Sequence, residues 1–145
     1  MKIVICSSVD FTDKIKEVAD ILTQSWHEIE LPFLSKKILA WEMSLQEFLK
    51  VKEKWGDGVF RKKAWEDLIL RYFNLIRESD VVLVCNYDKK WIKNYIWWNV
   101  FLEMWFAHVL NKKIYLLNNI PEMLYLDELK DINPIIINWD LSLIK

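Results

Sequence analysis

Short apolar runs alternate with longer segments of helical periodicity along this chain. Five runs have the length and the aliphatic composition of buried strands, at residues 2–6, 27–31, 80–85, 114–117 and 134–138. Between them, apolar residues recur at helical spacing in residues 11–24, 44–54 and 59–78, after Asn99, and in residues 124–129. Strands that alternate with helices predict a parallel sheet that is covered by helices on both faces.

The crossovers between parallel strands are expected to be right-handed, which limits the order of the strands. We expect an α/β protein with a flavodoxin-like, Rossmann-like three-layer sandwich and a five-stranded parallel sheet in the order 2-1-3-4-5. The 145 residues suit one domain, residues 1–145, with a single core.

One carboxylate is conspicuous within the most apolar predicted helix. A polar loop, residues 86–99, leads from the third strand into this helix, with Asn99 as the expected N-cap and Glu103 soon after it. Ligands in such folds bind beyond the carboxyl ends of the strands. A carboxylate among apolar residues is costly unless it is paired or used. Glu103 is therefore the main candidate for chemistry, with the helix N-terminus favouring its anion; the alternative is a Glu that stabilises the helix start or pairs with a lysine.

Charge and cysteine content narrow the class of protein. The net charge of −1 gives no sign of a nucleic-acid partner or a membrane surface. Cys6 and Cys85 have no disulfide or zinc spacing, so we expect a reduced, cytoplasmic protein. Residues 96–110 are too short to span a bilayer and include His108, which we interpret as a packing or surface residue, like His27. We find no P-loop, no metal ligand cluster and no cofactor motif.

The counts of glycine and tryptophan are abnormal. Ordinary usage predicts roughly ten glycines at this length, but the chain has 2 glycines and 9 tryptophans. Some tryptophans stand where a helix end or a turn normally takes glycine, including Trp91 in a Lys-Lys-Trp turn. We hypothesise that many are glycines in the organism, encoded by UGA codons that some bacteria read as glycine; the alternative is a naturally Trp-rich protein. Trp41, Trp55 and Trp65 carry no such signal. The positions that carry it most clearly are Trp26, Trp97, Trp98, Trp105 and Trp139.

The helix around Glu103 resembles a known family. The pattern Asn99-x-x-x-Glu103-Met104-x-x-Ala107, followed by Lys112-Lys113-Ile114, is similar to that of the nucleoside 2-deoxyribosyltransferase-like family. There a Gly-rich loop leads into a helix with Glu-x-Gly-x-Ala, then Gly-Lys and a strand. The family pattern has glycines where this chain has Trp97, Trp98, Trp105 and Asn111. The resemblance implies that Glu103 is the nucleophile.

Other candidate site residues follow the predicted strands. Asp10 and Asp88 are candidates for the second acid, although neither lies on a motif of the family. Polar or aromatic residues near the strand ends are candidates for substrate binding, with a cap, turn or core role as the alternative for each. They are Ser7, Ser8, Phe11, Asn86, Tyr87, Trp97, Trp98, Asn99 and Asn118.

The resemblance implies cleavage of an N-glycosidic bond in a small nucleoside or nucleotide, by transfer of the (deoxy)ribosyl group or by hydrolysis, through two displacements as in a retaining glycosidase. The alternative is a nucleotide-binding module without turnover. Some members of the family close their sites with helices from the region of residues 44–78, and many pair subunits there, so a homo-oligomer is an open expectation.

Overall fold

The protein, described here as a computed structural model over residues 1–47, 50 and 59–145, is a three-layer α/β sandwich. Its central sheet has five strands in the order β2-β1-β3-β6-β7, and every neighbouring pair is parallel. The bounds of the five strands are β1 Lys2–Cys6, β2 Glu28–Glu30, β3 Val81–Val84, β6 Lys113–Leu116 and β7 Ile135–Ile136. A separate antiparallel pair comprises β4 Tyr87–Lys89 and β5 Ile92–Tyr95. The helices are α1 Thr12–Gln24, α2 Phe33–Leu39, α3 Val59–Arg77, α4 Trp98–Val109 and α5 Leu126–Ile132.

The expected sheet is confirmed, because β6 and β7 are the fourth and fifth strands that the sequence predicts. The central strands are buried on both faces, which explains why they read as continuous apolar runs. In the register across the sheet, Val4 pairs with Val82, and Val82 pairs with Ile114.

The two faces of the sheet have separate hydrophobic cores. Alternate strand residues point to opposite faces, so Ile5 packs with α1 residues such as Ile15, whereas Cys6 packs with α4 residues such as Met104. Helices α4 and α5, with Ile76 of α3, cover the second face. Burial of these aliphatic side chains is the main stabilising term, at about 25 cal/mol per Å² of apolar surface.

Three features differ from the sequence-based expectation. Residues 86–99 were expected to form a polar loop, but they contain the hairpin β4–β5. Helix α4 begins two residues earlier than expected: its N-cap is Trp97, without a side-chain cap, so Asn99 lies inside the first turn. The helix expected at 124–129 runs instead over Leu126–Ile132. The helix expected at 44–54 lies largely outside the described residues.

None of the helices in the described part of the chain has both the length and the apolar character that a membrane crossing requires.

Candidate active site

A cavity of about 130 Å³ opens beyond the carboxyl end of β1, between α2, α3 and α4. Its apolar wall comes from α2, α3 and α4 and from the residues that precede α2. Among the described residues that line it, Glu103 is the one with a carboxylate. The polar and indole-bearing residues of the lining are Ser7, Ser8, Tyr72, Trp97, Asn99 and Glu103. Of the region 44–78, which the family resemblance implicates in closing the site, helix α3 lines the cavity with Leu68, Ile69 and Tyr72.

Glu103 lies five residues after the start of α4, beyond the first turn. The influence of the helix dipole fades within the first turn, and Glu103 is half-buried at the wall of the cavity. Burial raises the pKa of Glu103 to about 8, and an interaction with the Cys6 thiol opposes this rise only partly. In the free protein the pKa of Glu103 therefore lies above its ordinary value, because the loss of water disfavours the charged form.

Cys6 is the last residue of β1, and its side chain points to the same face of the sheet as α4. Burial is the largest cause that raises the pKa of its thiol, and the nearby Glu103 carboxylate raises it further. The thiol therefore stays protonated at neutral pH, where it serves as a weak donor to the carboxylate rather than as a nucleophile.

Tyr72 is a site residue that the sequence analysis did not identify; it lies in the helix expected at residues 59–78. It shares the cavity with Glu103. Burial raises the pKa of the Tyr72 phenol, the charge of Glu103 raises it further, and the backbone N–H of Phe33 opposes the rise. Tyr72 follows Leu68 by four residues, so the sequence places both on the same face of the helix. Both residues line the cavity.

Two serines carry the chain from β1 to the cavity. The Ser7 hydroxyl donates a hydrogen bond of 2.7 Å to the backbone oxygen of Cys85, which joins the ends of β1 and β3. The Ser8 hydroxyl lies 3.1 Å from the Asp10 carboxylate. Both serines line the cavity with Asn99 and Trp97, so the structure brings together four predicted binding residues and Glu103.

Asp10 and Asp88, the two candidates for the second catalytic acid, have different surroundings. Asp10 forms an ion pair with Lys89 of the hairpin and accepts a hydrogen bond from Ser8, so it lies next to the cavity lining. Asp88 accepts a hydrogen bond of 2.9 Å from the backbone N–H of Asn94. Asp88 thus stabilises the hairpin and does not line the cavity.

Asn86 and Asn118 lie at the carboxyl ends of β3 and β6, and they bind each other. Asn118 donates from its backbone N–H to Asn86 Oδ1 at 2.9 Å and from its side chain to the Asn86 backbone oxygen at 2.7 Å. The Asn86 amide donates to the backbone oxygens of Asn94 and Asn119, each at 3.1 Å. Neither residue lines the cavity, and their polar groups are engaged within the protein.

The remaining aromatic candidates fall on both sides of the sheet. Phe11 and Tyr87 lie in the α1-side core with ring centroids 5.1 Å apart, away from Glu103. Trp97 lines the cavity, whereas Trp98 is 60% exposed and packs against Phe101. The cavity holds less than the roughly 300–1,000 Å³ usual for ligand pockets, and the indole of Trp97 occupies part of its wall.

Comparison with known proteins adds evidence about the fold. No family model and no curated protein matches the sequence. Among solved structures, the chain is similar to a 2-deoxyribosyltransferase from the psychrotolerant bacterium Bacillus psychrosaccharolyticus, with a TM-score of 0.50, 14% identity and coverage of 80% of this chain and 71% of that one. A CMP N-glycosidase from Clostridium botulinum matches with a TM-score of 0.41, 15% identity and coverage of 80% and 70%.

This chain has the α/β fold of the deoxyribosyltransferase. At this level of identity the likeness concerns the fold, and the chemistry must be argued from the cavity.

Proposed function

We propose that this protein is an enzyme that cleaves the N-glycosidic bond of a nucleoside or nucleotide through Glu103. The observation that supports the proposal most is the position of this carboxylate: it faces a largely apolar cavity beyond the end of β1, beside the polar side chains of Ser7, Ser8 and Asn99. The activities of the two similar structures, 2-deoxyribosyl transfer and CMP N-glycosidic cleavage, belong to those proteins and suggest the substrate class to test.

The proposed reaction has two displacements. A Glu103 carboxylate oxygen attacks the anomeric carbon, a C–O bond forms, and the C–N bond breaks with its electron pair moving to the base, which takes up a proton. A second base or water then attacks the same carbon and releases the carboxylate, so the configuration is retained. With water as acceptor the outcome is hydrolysis, and with a second base it is transfer.

The departing base needs a proton, and the cavity offers two groups for this task. Asp10 adjoins the lining through Ser8, and the Tyr72 phenol, whose pKa is raised, is a neutral donor close to Glu103. In this proposal the proton for the departing base comes from the Asp10–Lys89 ion pair, in which the Lys89 ammonium carries it, and Tyr72 orients the Glu103 carboxylate. Asp88 remains a candidate from the sequence, but its role in the hairpin makes it the weaker choice.

We also propose that Trp97, Trp98 and Trp105 are glycines in the native enzyme. These are the positions where the family motif has glycine, and the small cavity beside Trp97 fits this interpretation. Their backbones do not themselves require glycine, since Trp97 has φ −69° and the other two lie within α4. Two free, buried cysteines are compatible with the proposed reducing, cytoplasmic location.

Covalent capture tests the nucleophile. The protein with Trp97 and Trp98 as printed, and a version with glycine at both positions, would be incubated with a mechanism-based fluorinated nucleoside and analysed by peptide mass spectrometry. We expect one glycosyl unit on the peptide that bears Glu103, and no label after Glu103→Gln. Glu128→Gln, an exposed glutamate of α5, serves as the matched control and should label normally. A label on another residue would refute the assignment.

A product panel separates the enzyme from a binding module. Deoxynucleosides, ribonucleosides and their monophosphates would be incubated with and without an acceptor base, and the products resolved by chromatography. Release or exchange of the base supports the enzyme. Saturable binding without products, by both versions of the protein, would instead identify a nucleotide-binding module.

A further inference from the structure

Residues with left-handed backbone conformation in this protein form an unusual set. Among the residues that the structure describes, nine non-glycine residues have positive φ, and four of them are Trp26, Trp41, Trp91 and Trp139, with φ between 58° and 69°. Four others are asparagines and one is a lysine, while none of the described Phe or Tyr residues has positive φ. Asparagine is a common second choice to glycine in this region, but a bulky aromatic is an outlier there. The feature is therefore specific to tryptophan and not to aromatic residues.

Trp26 ends α1 in a Schellman motif. Its backbone N–H donates to the oxygen of Thr23 at 3.0 Å, and the N–H of His27 donates to the oxygen of Leu22 at 3.2 Å. This pair of bonds defines the C′ residue of the motif, which is usually glycine because the left-handed conformation carries no Cβ penalty there. Trp26 thus occupies a glycine position.

Trp41 ends α2 in the same way. Its N–H donates to the oxygen of Ile38 at 3.1 Å, and the N–H of Glu42 donates to the oxygen of Lys37 at 3.0 Å. Helix α4 ends in an identical arrangement with Asn111 at the C′ position, the residue that most often replaces glycine. The sequence alone had given Trp41 no such signal.

Trp91 and Trp139 are each the second of two consecutive residues with positive φ. Lys90 and Trp91 form the two-residue loop of the hairpin β4–β5, and Asn138 and Trp139 form the centre of a turn closed by a 2.8 Å bond from the N–H of Asp140 to the oxygen of Ile137. Positive φ at both central residues is the mark of a type I′ turn, for which Asn-Gly is the preferred pair.

Burial offers these four side chains little compensation. The exposed fractions of Trp26, Trp41, Trp91 and Trp139 are 93%, 95%, 105% and 50%. Trp139 packs against the ring of Tyr87, whose hydroxyl is buried and has no hydrogen-bond partner among the described residues. The indole of Trp139 also donates a hydrogen bond of 3.0 Å to Asn118 Oδ1. Trp26, Trp41 and Trp91 are almost fully exposed, so burial does not offset the cost of their backbone conformation.

We infer that Trp26, Trp41, Trp91 and Trp139 are glycines in the native protein, because the organism reads their codon, UGA, as glycine. The inference rests on backbone geometry and is independent of both the proposed reaction and the family motif. It widens the group suggested by sequence to include Trp41 and places Trp91 firmly within it. It also reduces the shortage of glycine, since these four positions add to the 2 glycines of the chain.

The gene and the native protein test the inference directly. We expect UGA at all four positions, together with a glycine tRNA whose anticodon pairs with UGA in the same genome. Peptide mass spectrometry of the protein from its own cells should find glycine at each position. UGG codons, or tryptophan in the native peptides, would overturn the inference.

Stability measurements test the structural reasoning separately. Each single change of these four tryptophans to glycine should raise the melting temperature by about 2 °C, and the distant sites should add nearly independently. Leu124→Gly is the matched control, because Leu124 is 103% exposed but has no positive φ; it should not raise the melting temperature. Equal effects at all five positions would refute the argument from the backbone.

Discussion

Polar side chains lie near the strand ends in two places. In one place their hydrogen-bond partners are all within the protein, and in the other the side chain faces a cavity. Asn86 and Asn118 bind each other and the backbone of adjoining segments, so their polar capacity is used within the fold. Glu103 has a thiol and a phenol nearby and otherwise faces a cavity. Similar positions in the fold therefore have different roles. Asn86 and Asn118 hold adjoining segments together, and we call this pair the clamp, whereas Glu103 is a candidate for catalysis.

This contrast shows why proximity to a strand end is a weak guide to function. A buried polar group must be paired, and a side chain that is paired within the protein stabilises the fold. A carboxylate that is partly buried beside a cavity has a raised pKa, because its charged form is poorly solvated. Perturbed pKa values of this kind are common among catalytic groups.

The largest expected difference between the two groups is in turnover. Glu103→Gln should lower turnover at least about 10³-fold, because the amide cannot form the covalent intermediate, while substrate binding remains. Asn118→Ala should lower turnover per folded molecule less than about tenfold. Steady-state kinetics with the nucleoside panel, and calorimetry for binding, measure both. Comparable losses of turnover in the two variants would contradict the catalytic role of Glu103 and the structural role of Asn118.

The opposite ranking is expected for stability. Asn86→Ala removes a buried amide and leaves backbone partners unsatisfied, at about 1–3 kcal/mol for each such group, so the free energy of unfolding should fall by roughly 3 kcal/mol. Asn99→Ala, beside the cavity, should cost less than about 1 kcal/mol. Urea denaturation provides the comparison, and an Asn86 variant as stable as the parent would contradict the role of the clamp.

Removing the Glu103 charge should stabilise the protein at alkaline pH. Its pKa is raised from 4.5 to about 8 in the folded state, so between these values the folded protein binds a proton that the unfolded chain has released. Stability attributable to this group is therefore present below pH 4.5 and declines as the pH rises towards 8. Glu103→Gln should unfold like the parent at pH 4.5 but be more stable at pH 8, by at most a few kcal/mol. A difference that does not change with pH would show that the carboxylate is not buried in the free protein.

The pH dependence of the reaction should follow the same group. If the ionised carboxylate is the nucleophile, only about a tenth of the free protein is active at pH 7, given a pKa of about 8. We expect kcat/KM to rise roughly tenfold between pH 7 and pH 9. An activity that falls over this range would indicate that Glu103 acts as an acid instead.

A smaller effect is expected from Tyr72→Phe, which keeps the ring but removes the hydroxyl. If the phenol orients Glu103, kcat should fall about three- to tenfold with little change in KM, and the apparent pKa in the pH profile should move. Asn74→Ala serves as the control, because Asn74 is an exposed residue of α3 that does not line the cavity. A loss of activity without any shift of the pH profile would indicate a packing role.

The sheet and Glu103 were accessible from the sequence, because both depend on local patterns. Apolar runs and helical spacing are sufficient for the order of the strands, and a single carboxylate in an apolar helix is conspicuous. The sequence indicated a turn at Trp91, but it did not predict the hairpin β4–β5, because Lys90 and Trp91 are not a residue pair that is typical of a two-residue hairpin loop. With glycine at position 91, the hairpin signal would have been present.

Tyr72 and the clamp could not be assigned in the same way. Tyr72 reaches Glu103 only because α3 packs against α4, a contact between residues far apart in the chain. Ligand contact and a structural role were equally compatible with the sequence for Asn86 and Asn118. The sequence does not show that the two residues bind each other.

The Asn86 side chain has a consequence for the order in which parts of the molecule open. Its amide holds the backbone at Asn94, in β5, and at Asn119, after β6, so one side chain connects the hairpin to the segment that follows a central strand. Cooperative opening units often coincide with such connected motifs. Amide hydrogen exchange should therefore find these two segments losing protection together, although they are separated along the chain, while β1 and β3 exchange only through global unfolding.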